Sequence, residues 1–182
     1  MPQAVTHIIV PILLLSLFRD IFYKSKAREK FPLHYILIGG LAGALPDIDI
    51  FFYYALSYFD YTFNELHRVF SHSLSFLFIF LFLGILTYFF SVKNKEFGRH
   101  HLKINKIFFV ISFGIFLHLV LDVIFYGTIM PFYPFFYYPL GLNLISYLPS
   151  AIKGSIFPVI DAALLIIYLI YLELKHKISD FI

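Results

Sequence analysis

The chain contains no cysteine among its 182 residues. Disulfide bonds and thiolate metal sites are therefore excluded, and histidine and carboxylate side chains are the strong metal ligands that the sequence offers. Without cysteine, the sequence gives no indication of the redox compartment.

Charged residues are also scarce. They make up 14% of the chain, against 60% hydrophobic residues, and the mean hydropathy is +0.84. Such a composition cannot cover a soluble globule of this size, so it predicts an integral membrane protein. Because lipid requires backbone groups to pair within the protein, we expect an all-α helical bundle that forms a single domain over residues 1–182. The net charge of +3 comes from clustered basic residues and indicates membrane orientation rather than nucleic-acid binding.

Five apolar stretches are long enough to be membrane helices. They cover residues 4–18, 33–58, 69–90, 104–128 and 155–174. About 20 apolar residues cross a bilayer, so we expect a polytopic bundle of about five transmembrane helices. The first stretch lacks a basic n-region and a small-residue cleavage site, which favours a retained helix over a signal peptide.

Proline and glycine interrupt this pattern at two places. Gly39, Gly40, Gly43 and Pro46 lie inside the second stretch, so this helix should break or kink at Pro46. Residues 126–150 combine four prolines with many aromatic residues, which predicts a long loop at the headgroup boundary.

Basic residues orient the predicted bundle. Twelve of the 14 follow the first, third or fifth stretch: Arg19, Lys24, Lys26, Arg28, Lys30, Lys93, Lys95, Arg99, Lys103, Lys106, Lys175 and Lys177. With five crossings these segments share one side, which the positive-inside rule assigns to the cytoplasm. We therefore expect a multi-pass protein of the inner or plasma membrane, with its N-terminus outside and its C-terminus in the cytoplasm.

Histidine and aspartate residues occur within or next to the apolar stretches. The set comprises His7, Asp47, Asp49, His67, His72, His118 and Asp122. Ionisable groups inside a membrane are costly, so they normally face one another, water or an ion. The predicted topology places all seven in the outer half of the bundle. A divalent metal site would satisfy them together, with zinc as the first candidate and manganese as the second.

Two pairs within this set have informative spacing. His118 and Asp122 are four residues apart and therefore share one helical face, within reach of a common ion. They could alternatively bond to each other as structural links between helices. Asp47 and Asp49 are two residues apart at the proline break, where two close carboxylates would repel unless a cation or a shared proton lay between them. Two solvated loop carboxylates would need neither.

The sequence H-R-V-F-S-H-S, from His67 to Ser73, adds a candidate anion site. The guanidinium of Arg68 fits phosphate or carboxylate, although it could equally anchor the chain to lipid phosphates. Asp161 could orient a ligand histidine or be a solvated carboxylate near a helix end. The remaining histidines, which are His34, His100, His101 and His176, lie in basic segments and are not assigned to the site.

The ordered motifs resemble those of a membrane protein family. T-H at Thr6, G-x-x-x-x-x-P-D-I-D from Gly40, H-R-x-x-x-H-S from His67 and H-L-x-x-D from His118 are similar to those of the YdjM-like, LexA-regulated inner-membrane proteins, which are described as metal-dependent hydrolases. The motifs span residues 6–122, about two-thirds of the chain. Val69 stands where that family commonly has glycine, so the turn after Arg68 should be tighter or already helical. The resemblance implies that the seven histidines and aspartates form the site, with Arg68 beside them.

These observations predict a membrane-embedded metal-dependent hydrolase. A bound divalent ion would acidify a water molecule, and we expect a carboxylate that is not a ligand, Asp49, to be the general base. Arg68 would hold the phosphate of a phospholipid or lipid-linked phosphoester. Membrane lipids are therefore the expected partners, nucleic acid is not, and the oligomeric state is not indicated. The alternatives are a non-catalytic metal-binding or metal-transporting membrane protein, and a structural one without metal.

Overall fold

The computed structural model describes residues 4–23, 30–56, 58, 70–90, 96–97, 102–125 and 127–176. These residues are mostly helical, as the composition predicted. The α-helices are α1 (Ala4–Phe22), α2 (Leu33–Ala42), α3 (Asp49–Leu56), α4 (Leu74–Phe89), α5 (Ile104–Phe125), α6 (Ser150–Lys153) and α7 (Ile156–His176). Two 3-10 helices, Pro46–Ile48 and Leu144–Tyr147, and a two-stranded antiparallel ribbon of β1 (Glu96–Phe97) and β2 (Leu102–Lys103) complete the elements.

Three of the described helices are long and apolar enough to cross a membrane. They are Ala4–Phe22, Ile104–Phe125 and residues Ile156–Lys175 of α7. The helices Leu33–Ala42 and Leu74–Phe89 are apolar but shorter. The prediction of a helical membrane bundle is thus confirmed in outline, while the number of five crossings and the orientation stay predictions.

Helix α5 lies at the centre of the bundle and packs against α4, α2 and α1. Its contact with α2 is close because Gly114 faces the carbonyl of Gly39, where a Cβ atom would collide. On its other side, Ile115 and Leu119 of α5 form a buried apolar cluster with Leu77 of α4. Helix α7 packs mainly on α1. The C-terminal half of α5, which carries His118 and Asp122, therefore lies among helices that bear or adjoin the other candidate ligands.

The second apolar stretch is broken, as its proline and glycines predicted. Helix α2 ends at Ala42, a 3-10 turn covers Pro46–Ile48, and α3 begins at Asp49. The break starts before the proline, at Gly43, which lies directly against α1 where a Cβ atom would collide with the carbonyl of His7. Asp47 and Asp49 are consequently carried by a turn and a helix start rather than by a continuous helix.

The segment after α5 is largely non-helical up to the short helix α6, in agreement with its proline content. Ile129 and Leu140 pair as an antiparallel bridge within it. The carbonyl of Pro131 accepts a hydrogen bond from the backbone N–H of Leu74 (2.8 Å), and that of Tyr133 accepts one from Ser75 Oγ (2.6 Å). This loop therefore holds the first turn of α4 in place.

Candidate metal centre

Two imidazole nitrogens and two carboxylate oxygens, from α5, the Pro46–Ile48 turn and the residue before the α4 N-cap, lie close together. They are His72 Nε2, His118 Nε2, Asp47 Oδ1 and Asp122 Oδ2, which we call the four-atom cluster. The two nitrogens are 3.1 Å apart. Asp47 Oδ1 lies 3.5 Å from His72 Nε2 and 3.7 Å from His118 Nε2. Asp122 Oδ2 lies at the same two distances.

The nitrogen–nitrogen and nitrogen–oxygen spacings are close to those between the ligand atoms of a zinc site. In a zinc site with bonds of about 2.0–2.1 Å, the ligand atoms are roughly 3.3 Å from one another. The measured separations within the four-atom cluster, from 3.1 to 3.7 Å, bracket that value. Both histidines are fully buried, and Asp122 is 2% exposed. The donor atoms of Asp47, His72 and His118 are therefore close enough together to share a divalent cation.

The hydrogen bonds behind the rings direct lone pairs into the cluster. A carbonyl oxygen can only accept, so Nδ1 of His118, which lies 2.7 Å from the carbonyl oxygen of Gly43, carries the proton. In the neutral ring, Nε2 then has a lone pair. His72 is arranged in the same way, because its Nδ1 faces a carboxylate oxygen of Asp49 at 3.3 Å. Two lone pairs at 3.1 Å repel each other unless a cation, either a proton or a metal ion, lies between them.

Asp49 lies behind His72 rather than in the four-atom cluster. Its Oδ2 atom faces Nδ1 of His72 and also accepts a hydrogen bond of 2.6 Å from Ser71 Oγ. Carboxylates in this position orient ligand histidines in many metal sites and make them better donors. Two groups that the sequence did not single out, the Gly43 carbonyl and the Ser71 hydroxyl, thus set the histidine orientations. Both residues lie inside the motifs. The sequence does not reveal the role of the Gly43 carbonyl, because a backbone acceptor has no side-chain signature.

The local structure of the α4 start fixes His72. Ser73 is the N-cap of α4, with Oγ accepting a hydrogen bond from the backbone N–H of Phe76 (3.3 Å). Such a cap satisfies one of the N–H groups at a helix start. Ser73 is fixed by this cap, and Leu74 is fixed by its hydrogen bond to the carbonyl of Pro131. His72, which precedes them, therefore has little conformational freedom. His72 is therefore held towards α5.

His7 reaches the cluster from α1. Its Nε2 atom lies 3.5 Å from Asp122 Oδ1, the oxygen that does not belong to the four-atom cluster. The His7 ring also stacks on His118, with centroids 3.9 Å apart. His7, His118 and Asp122 thus form a second buried group with donor atoms close enough to share an ion. Nδ1 of His7 is buried without a hydrogen-bond partner among the described residues.

The other candidate residues have separate positions. Asp161 of α7 is buried and accepts a hydrogen bond from the hydroxyl of Thr6, the neighbour of His7, so it links α7 to α1 beside the site. His34 lies at the start of α2, near the opposite end of the bundle. His67 and Arg68 fall outside the described residues, as do His100 and His101.

The fold and the cluster together define a class: a helical membrane protein with buried histidine and aspartate residues that can hold a metal ion. The family model of the YdjM inner membrane protein matches residues 1–178. The chain therefore belongs to the YdjM inner membrane protein family, as its motifs predicted, and it is a multi-pass inner-membrane protein. No curated protein and no solved structure matches it.

Proposed function

We propose that the chain is a membrane-embedded, metal-dependent hydrolase that acts near the outer leaflet on a phospholipid or a lipid-linked phosphoester. The observation that carries the proposal is the pair of histidine Nε2 atoms, 3.1 Å apart and each close to two carboxylate oxygens. Within a protein this apolar, such a cluster needs a cation to be stable. Zinc fits the mixed nitrogen and oxygen donors, and manganese is the second candidate.

The residues of the cluster would have different roles in binding the ion and admitting the substrate. A divalent ion supplies a Lewis acid that acidifies water and polarises a phosphoryl or carbonyl oxygen. His72, His118 and Asp122 are buried and would hold the ion in place. The side chain of Asp47 is 22% exposed, so a substrate would reach the ion from the Asp47 side. The surrounding apolar helices would exclude bulk water from the reacting group.

Arg68 supports a phosphate-containing substrate. A guanidinium donates paired hydrogen bonds to phosphate and offers no lone pair to a cation. In this proposal it therefore binds substrate rather than metal. His67, its neighbour, completes the ligand set that the sequence predicts. A lipid substrate suits a site in an inner-membrane protein because it can enter laterally from the leaflet.

Asp49 has two candidate roles. Its spacing in the sequence suggested a general base or a ligand, whereas its contact with His72 Nδ1 favours an orienting carboxylate. We propose the orienting role and retain the general base as its alternative. An orienting carboxylate governs metal affinity, whereas a base governs turnover with metal bound.

A second candidate function is metal binding without catalysis, either as a structural centre or in transport. Four protein ligands with no open position are typical of structural zinc sites, and the four-atom cluster supplies four donors. Transport would also need a polar path to the other face. Along α1, Ser16 and Asp20 form hydrogen bonds with Tyr168 and Tyr171 of α7, which gives these polar groups a structural use between two helices.

The test begins with metal content. Protein purified in detergent should contain a divalent metal, and His118→Ala or Asp122→Ala should lose most of it, whereas His34→Ala should not. Metal-loaded protein should then hydrolyse at least one member of a panel of phospholipids, lipid-linked phosphates and lipid esters, and a chelator should stop the reaction. Arg68→Ala should weaken substrate binding and leave the metal in place. A metal-loaded protein inert on the whole panel would favour the non-catalytic candidate.

A further inference from the structure

An apolar cavity lies at the opposite end of the bundle from the four-atom cluster. Its volume is about 320 Å³, within the range of small-ligand pockets. It is lined by Leu15, Phe18, Tyr23, Phe31, Lys106, Phe109, Val110 and Phe113. Along α5, Lys106 is 16 residues before Asp122, which corresponds to about 24 Å. The cavity is therefore separate from the candidate metal centre.

One cation lines this cavity, and others lie near it. Lys106 lines it and donates a hydrogen bond of 2.7 Å from Nζ to the carbonyl of Lys30. Lys30 and Lys103 lie close enough to Lys106 to repel its charge. Arg19 approaches the same segment, with Nε donating to the carbonyl of Phe31 at 3.0 Å. Like charges gathered beside an apolar cavity favour a ligand that combines an anionic group with a hydrocarbon chain.

The hydrogen bonds that the structure describes for Lys106 and Arg19 leave N–H donors for such a ligand. An ammonium group has three donors and a guanidinium has five. Within the described part of the chain, the bonds to the carbonyls of Lys30 and Phe31 use one donor each of Lys106 and Arg19. Lys106 also lies over the ring of Tyr35, 5.8 Å from its centroid, which further restricts its position.

We propose that this cavity binds one anionic phospholipid, with an acyl chain against Val110 and Phe113 and the headgroup phosphate on Lys106 and Arg19. The site lies at the end of the bundle that carries the basic segments, where an anionic leaflet surface concentrates such lipids. A free phosphate ion would use the cations but leave the apolar lining without a partner. The lipid is thus the ligand that satisfies both parts of the site.

Native mass spectrometry of the full chain in detergent tests the proposal, with phosphatidylglycerol and phosphatidylcholine as probes. We expect one retained phosphatidylglycerol per chain and about tenfold weaker binding of phosphatidylcholine. Lys106→Gln, which keeps most of the side-chain length without the charge, should remove the preference, and Lys106→Arg should restore it. The matched control, Lys153→Gln in α6, should retain it.

A second variant tests the acyl-chain part of the site. Val110→Phe fills the cavity and should weaken phosphatidylglycerol binding without changing bound metal. Equal retention of both lipids by the unmodified protein, or the same loss from Lys106→Gln and Lys153→Gln, would overturn the proposal. So would displacement of the lipid by inorganic phosphate alone. Lys106 is about 24 Å from Asp122 along α5, so lipid binding that depends on Lys106 and Val110 is distinct from substrate binding at the candidate metal centre.

Discussion

At the residue scale, the central feature is a pair of histidines, His72 and His118. Their Nδ1 atoms each face an oxygen acceptor, and their Nε2 atoms face each other. The Gly43 carbonyl fixes His118, and Asp49 with Ser71 fixes His72. The sequence predicted that these histidines and aspartates lie close together, because ionisable residues in apolar helices pair with one another. The position of Asp49 was not, since a spacing of two residues across a broken helix does not determine where each carboxylate points.

Asp49→Asn separates its two candidate roles. The amide keeps the size of the side chain but removes its negative charge, so an orienting role predicts metal affinity lower by about 10–100-fold. Metal titration of the purified variant measures this directly, with Asp60→Asn, a carboxylate outside the candidate set, as control. A general-base role predicts the reverse pattern, in which metal affinity is unchanged while turnover falls by roughly a hundredfold or more.

At the element scale, the glycine contacts between α2, α5 and α1 bring the ligands together. Gly39 and Gly114 let α2 and α5 approach, and Gly43 lets the broken helix lie on α1. The apolar stretches predicted the helices because lipid-facing helices are long and continuously hydrophobic. The ribbon of β1 and β2 was not predicted, since strands of two residues show no hydrophobic period.

Gly114→Ala tests this close packing. Its Cβ would meet the Gly39 carbonyl and, at 2.9 Å, the backbone nitrogen of Gly43, so α2 must move away from α5. We expect a loss of about 1–3 kcal/mol in stability. Because Gly43 also accepts the hydrogen bond from His118, bound metal should fall as well. Thermal unfolding in detergent and metal analysis give the two readouts.

Gly154→Ala is the matched control for this substitution. A Cβ at Gly154 meets nothing within 4 Å, so stability and metal content should match those of the unmodified protein. If Gly114→Ala behaved like Gly154→Ala, the helices would not be held together by this contact, and the explanation for the ligand geometry would be wrong.

At the scale of the whole molecule, the helical bundle has two chemically different ends. The four-atom cluster lies between the start of α1 and the end of α5, and the basic cavity lies between the end of α1 and the start of α5. Composition was sufficient to predict membrane insertion. Which helices contact one another could not be predicted, because the stretches are apolar on all sides and carry little directional information.

The orientation of these two ends is testable in intact cells. The distribution of basic residues predicts that an accessible tag at the N-terminus is labelled from outside and that one at the C-terminus is labelled after permeabilisation. Such a result would place the cluster towards the outer leaflet and the cavity towards the cytoplasm. Labelling of both ends from the same side would contradict five crossings.

X-ray absorption spectroscopy of the zinc-loaded protein tests the central claim most directly, because it reports ligand types and bond lengths around the ion itself. The four-atom cluster predicts nitrogen and oxygen ligands at about 2.0–2.2 Å, with the multiple scattering of two imidazole rings. His72→Ala should remove one imidazole contribution, whereas His34→Ala should leave the spectrum unchanged. A spectrum without imidazole scattering, or a protein that retains no metal after loading, would contradict the proposed centre.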